Sequence, residues 1–166
     1  MAALSSATAV LADGKTITDA LATIQAKTTD LGAAVSNWRG DLLGALPITF
    51  KSTELLTTLK QATRDAEASG VLTLEESLAV ASATDELSKT VVSTLQTIVD
   101  TKPKFDRLII LSPIVLLNLE LEKGATEDFS ATVVSKVPQD LKPVAEGLIK
   151  PIDDAFAAAI DKYKLF

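Results

Sequence analysis

The apolar residues of FDRLIILSPIVLLNLEL, Phe105 to Leu121, do not keep to one helical stripe. Leu108 to Leu111 cover a full turn's circumference, and Ile114 to Leu117 do so again. A helix apolar all round must be enclosed by protein, lipid or a second subunit. At 17 residues, interrupted by Asp106, Arg107, Pro113, Asn118 and Glu120, the run is too short and too polar to span a bilayer. It reads as a core helix or the wall of a greasy cavity.

Elsewhere the pattern is regular. From about Ser5 to Arg39 apolar residues recur at Val10, Ile17, Leu21, Ile24, Leu31, Val35 and Trp38, which predicts one long amphipathic helix weakly interrupted at Asp13 and Gly14. Gly40, Gly44 and Pro47 predict a loop, with Leu42, Leu43, Leu46 and Ile48 tucked beneath the helix ends. A second helix is expected from Ser52 to Ala68, with Leu55, Leu59, Ala62 and Ala66 inside and Ser69 and Gly70 as its stop. Thr73 and Glu76 have capping-box spacing and open a third helix, carrying Leu78, Ala81, Val91, Leu95 and Ile98 to about Asp100.

Lys102 and Pro103 should close that helix, and Pro103 should begin a fourth, bent at Pro113 and ended by Gly124. Thr126, Glu127 and Asp128 resemble the acidic first turn of a further segment to Lys136. Pro138 then starts a last helix with Leu141, Ala145, Leu148, Ile152, Phe156, Ala159 and Tyr163 on its inner face and an expected kink at Pro151. No stretch alternates with period two long enough to form a strand. The expected fold is an all-α, single-domain bundle of about five helices over residues 1–166, mostly antiparallel, around an internal apolar cavity.

Composition narrows the chemistry. The 166-residue chain is 47% hydrophobic but only 4% aromatic, so its core is aliphatic and offers little stacking surface for bases or flat cofactors. A net charge of -6, with no basic cluster, argues against a nucleic-acid partner. There is no Cys and no His, which removes thiol chemistry, imidazole ligands and the ready general base near neutral pH. Catalysis, metals and cofactors are therefore not expected. The N-terminus, MAALSSATAVLADGK, lacks the basic region and continuous apolar stretch of a secretory signal.

Four ordered segments carry a resemblance: AVSNWRGDLLGALPI at Ala33 to Ile48, SGVLTLEESLAV at Ser69 to Val80, TKPKFDRL at Thr101 to Leu108, and KVPQDLKPVAEGLIKPIDDAFAAAIDKY at Lys136 to Tyr163. In order and spacing they resemble the fungal family of hydrophobic surface-binding protein A and the related secreted cell-wall galactomannoproteins. The resemblance implies a secreted or wall-associated fungal helical bundle that binds a long-chain fatty acid, or, in the other branch, adsorbs to hydrophobic surfaces. The chain lacks the signal peptide and the Ser/Thr-rich anchoring tail of full-length members, which fits a trimmed domain.

Inner-face periodicity selects the residues expected to line a lipid cavity. They are Leu31 and Val35 on the first helix; Leu78, Thr84, Ser88 and Leu95 on the third; Leu108, Leu117, Phe129 and Val133 in the fourth region; and Leu148, Ile152 and Phe156 on the last. A charge at Leu117 is expected to abolish lipid uptake. Burying a 16-carbon chain yields on the order of 10 kcal/mol gross, so micromolar affinity needs no polar contact. Thr84 and Ser88 put two hydroxyls one turn apart on an apolar face; they either meet a lipid head group or bond back to their own helix. Ser112, Ser130 and Ser135 are similar candidates, and a carboxylate head is expected near solvent or a helix N-terminus.

The acidic pairs Glu75–Glu76, Asp85–Glu86, Glu127–Asp128 and Asp153–Asp154 point about 100° apart on a helix, so they read as solvated faces and helix-start charges rather than an acid and base. Trp38 reads as a packing anchor. An interfacial protein adsorbing to hydrophobic surfaces is the alternative function, and a homodimer is the other cover for the fourth helix.

Overall fold

The structure, a computed structural model, describes residues 3–164, with side chains described from Asp13 onward; Val10 lies outside the described side chains. It comprises five helices: α1 (Ala3–Asn37), α2 (Leu46–Ala68), α3 (Leu74–Asp106), α4 (Leu111–Lys136) and α5 (Lys142–Tyr163). Two 3-10 turns, Leu43–Ala45 and Gln139–Leu141, lead into α2 and α5. Among the described residues there is no strand, and no helix is long and apolar enough to cross a membrane.

The helices form a closed ring in the order α1, α3, α5, α4, α2 and back to α1. Hydrogen bonds fix its directions. Gly14–Glu76, Gln25–Thr90 and Thr28–Thr94 join α1 to α3 at separations of 62, 65 and 66 residues, which only parallel helices can sustain. Ser52–Glu122 and Lys136–Glu67 do the same for α2 and α4, at 70 and 69. Ion pairs Lys27–Glu54 and Lys51–Asp30 show α1 and α2 running antiparallel. Sequential helices thus reverse direction, as short connections require, while the ring closes through like-directed neighbours.

The helix boundaries differ instructively from those the sequence suggests. α2 starts at Leu46 rather than Ser52, with Pro47 in its first turn where no backbone donor is missed. Ile48 is buried, but Leu42, Leu43 and Leu46 are exposed rather than tucked in. α3 runs on past Pro103 to Asp106, because Phe105 and Lys102 are buried at its end and outweigh the single bond the proline withholds.

The reversal falls instead at residues 107–110, so the apolar run spans a turn and two helix ends. Pro113 is then the third residue of α4, where its missing N–H breaks no bond, and the expected bend has no cause there. Gly124 does not end α4; burial of Ala125, Thr126 and Phe129 carries the helix through to Lys136. α5 begins at Lys142 rather than Pro138 and continues through Pro151.

One end of the ring is plugged by aromatics. Trp38 stacks on Phe105 with ring centroids 4.4 Å apart, and Phe105 meets Tyr163 edge-on at 6.3 Å. The Tyr163 hydroxyl donates to the Ile98 carbonyl at 2.7 Å, and burial holds its pKa up. Lys102 lies 5.7 Å over the Tyr163 ring and donates to Asp106 at 2.8 Å. The Ser112 hydroxyl also donates to Asp106, and these two bonds, Lys102's first, keep the Asp106 carboxyl below the usual range.

Candidate functional site

Inside the ring, the inward stripes of all five helices leave about 700 Å³ of space between side chains, crevices included, of which water centres could occupy about 50 Å³. That makes it a narrow slot. Its walls are Leu21, Ile24 and Leu31 from α1, Leu55 and Leu59 from α2, Leu87, Val91, Leu95 and Ile98 from α3, Phe129 and Val133 from α4, and Ile149, Ile152 and Phe156 from α5. Four threonines line it, and three of them turn their hydroxyls away. Thr28 donates to Ile24, Thr84 to Val80 and Thr94 to the Thr28 carbonyl, so each shows the slot mainly its methyl group.

Two smaller chambers adjoin the slot. One, toward the start of α3, shares Thr84, Val133 and Ile149 with it and is bordered by Leu78, Val144 and Leu148. The other, of about 310 Å³, shares Leu31, Ile98 and Glu122 with it and is completed by Val35, Ile48, Ser52, Phe105, Val115, Asn118 and Leu119. Each is separated from the slot only by the side chains they share.

Of the expected lining residues, Leu31, Thr84, Leu95, Phe129, Val133, Ile152 and Phe156 border the central slot. Val35 borders one side chamber, and Leu78 and Leu148 the other, Leu78 at a position 59% exposed. Ser88 is buried but borders none of these spaces, and Leu108 sits half-buried in the α3–α4 reversal. Leu117 is 54% exposed on the outside of α4, because the helix starts later than the run suggested and its face is rotated. A charge there would meet water, not ligand. Ser112 is taken by Asp106 and Ser135 by the Thr132 carbonyl, whereas Ser130 reaches the slot.

Two carboxylates depart from the solvated reading. Glu76 is buried: one oxygen accepts the Gly14 N–H at 3.1 Å and the other the Thr73 N–H at 2.8 Å, while the Thr73 hydroxyl caps α3 in return. Glu122, which periodicity did not select, is 3% exposed and borders both the slot and the Ser52 chamber.

The Ser52 hydroxyl donates to its Oε1 at 2.5 Å, and its other oxygen has no protein partner among the described residues. Burial raises its pKa to about 7, opposed only by the Ser52 hydrogen bond. The charged groups of neighbouring helices are occupied elsewhere: Lys27, Asp30, Lys51 and Glu54 with one another across α1 and α2, and Lys102 at the end of α3 with Asp106. On α5, Asp153 is held up mainly by burial and by Glu127, beside Lys123. Among the described residues no group of three or more carboxylates could hold a metal ion.

The lining of the slot is chemically suited to a hydrocarbon chain. A family model described as hydrophobic surface binding protein A matches residues 14–135. The chain is 26% identical over 151 residues to cell wall mannoprotein 1 of Aspergillus flavus, and 26% over 141 residues to its Aspergillus fumigatus counterpart. These alignments take in 91% and 85% of this chain but 54% and 49% of those proteins, so the chain spans about half their length. Among solved structures, Afmp4p in complex with palmitic acid superposes with a TM-score of 0.86 at 29% identity, over 90% of this chain and 99% of that one. Ligand-binding domain 1 of the Penicillium marneffei MP1 protein, complexed with arachidonic acids, gives 0.86 at 19% identity over 91% and 98%, a likeness of fold.

Proposed function

The chain belongs to the hydrophobic surface binding protein A family, and on that premise we propose that it binds and sequesters a single long-chain fatty acid within its ring, without catalysis. The observation carrying this reading is the slot itself, which all five helices line mainly with aliphatic side chains and where three of four threonine hydroxyls are turned to backbone. At about 50 Å³ the slot must widen by side-chain movement to take a whole chain, and aliphatic burial supplies the driving force. The palmitic acid complex of the 29% identical Afmp4p supports the ligand class. Relatives that are cell wall mannoproteins support a secreted or wall-associated setting, with this chain as a single lipid-binding domain.

Extraction of the purified protein with organic solvent, followed by mass spectrometry, should yield a fatty acid near one per chain, and the stripped protein should rebind palmitate. A lipid-free protein that also refuses added palmitate would sink the reading.

One observation favours adsorption as a second activity. Leu43 (77% exposed), Leu46 and Phe50 at the start of α2, and Ile109 (85% exposed), Ile110 and Ile114 around the start of α4, face solvent at the same end of the ring. Apolar exposure of that kind marks an interaction surface. Serine at Leu43 and Ile109 should weaken adsorption to polystyrene while palmitate binding persists; loss of both together would tie adsorption to opening of the slot instead.

A further inference from the structure

Glu122 stands where the central slot and the Ser52 chamber meet, with Leu31 and Ile98 as the other shared walls. The lining on either side is otherwise mainly aliphatic or aromatic. Its Oε1 already accepts from Ser52, no cation faces it, and its other oxygen is unpartnered among the described residues. Below about pH 7 a carboxyl in that setting keeps its proton, and the O–H then lacks an acceptor.

A head group placed at this junction would fill one chamber with its chain and leave the other empty. A chain threaded through both fills both and brings its own middle past Glu122. Building on the lipid-binding reading, we propose that Glu122, positioned by Ser52, is an internal hydrogen-bonding subsite that selects single-chain lipids carrying an oxygen within the chain, such as a hydroxyl, keto or epoxide group. A saturated chain slides by and leaves the carboxyl unmet; an oxygenated one satisfies it.

The test compares stearate with 12-hydroxystearate on the delipidated full chain, by calorimetry or displacement of a fluorescent fatty acid. The wild-type protein should bind the hydroxy acid about tenfold more tightly, the effect expected of one buried hydrogen bond otherwise left unmade. Glu122→Gln, which keeps a donor and an acceptor, should retain most of that preference. Glu122→Leu should lose it, the two acids then binding alike, and helical circular dichroism checks that the variant is folded.

Equal binding of the two acids by the wild-type protein overturns the proposal but leaves fatty-acid binding standing. So does a preference that survives Glu122→Leu, or an equal loss for both acids, which would make Glu122 a reader of the head group. Failure to bind either acid removes the lipid-binding reading and this one with it.

Discussion

Glu76 and Glu122 are buried to nearly the same depth, 5% and 3% exposed, yet their surroundings differ in kind. Two backbone amides and a reciprocal cap saturate Glu76, so its charge is spent on joining α1 to the start of α3. Glu122 has one serine and a view of empty apolar space. Burial alone therefore does not distinguish the two acids; the number of donors that meet each one does. The saturated carboxylate holds the ring together, and the unsaturated one is available to a ligand.

The sharpest way to break this contrast is to remove the saturated acid. Glu76→Ala strands the Thr73 and Gly14 donors and should lower stability by about 3 kcal/mol in chemical denaturation. A loss no larger than that of a surface acid would mean those bonds do not hold the helices. Glu122→Gln should act in the opposite direction and depend on pH.

The sign follows from the folded pKa of about 7 lying above the ordinary 4.5. Between those values the unfolded chain gives up a proton that the fold retains, so stability falls as pH rises and the penalty is complete above about 7. The variant should thus be about 3 kcal/mol more stable than wild type at pH 8 and indistinguishable at pH 4. Thermal melts at both values decide it, and a gain independent of pH would disprove the assignment.

A smaller effect is expected at Gly14, where a Cβ would lie 2.6 Å from Glu76 Cγ and 2.8 Å from its Cβ. Gly14→Ala should therefore lower stability by about 1 kcal/mol despite better helix propensity; a stabilised variant would show that Glu76 yields freely. Least should come from Asp154→Asn, which removes an exposed partner of Lys150 and should shift stability by under about 0.5 kcal/mol.

The contrast also shows what was legible in the sequence. The Thr73–Glu76 capping box and the inner stripes of α1, α2 and α5 follow from spacing, because local hydrogen bonds and helical period decide them. The α3–α4 reversal did not, since Pro103 and Pro113 look like a stop and a bend, whereas burial of Phe105 moves the turn between them. That displacement hid the most telling residue. With α4 unbroken at Gly124, its buried face runs Leu119, Glu122, Thr126, Phe129, Val133, and an acid on that face is conspicuous. Cutting the helix at Gly124 splits the stripe and makes Glu122 look like one more surface charge. Nor could spacing reveal that Gly14 serves a contact 62 residues away.

The parallel pairing of α1 with α3 and of α2 with α4 has a kinetic consequence. Contacts at separations near 65 residues cannot form by local zippering, so loop closure should make this chain fold slowly for an all-helical protein. The ring is complete only when α5, synthesised last, bridges α3 and α4 and brings Ile149, Ile152 and Phe156 into the wall. Without α5 the slot would lack one wall, so on the lipid-binding reading a chain met during synthesis or refolding would be enclosed without any door having to open.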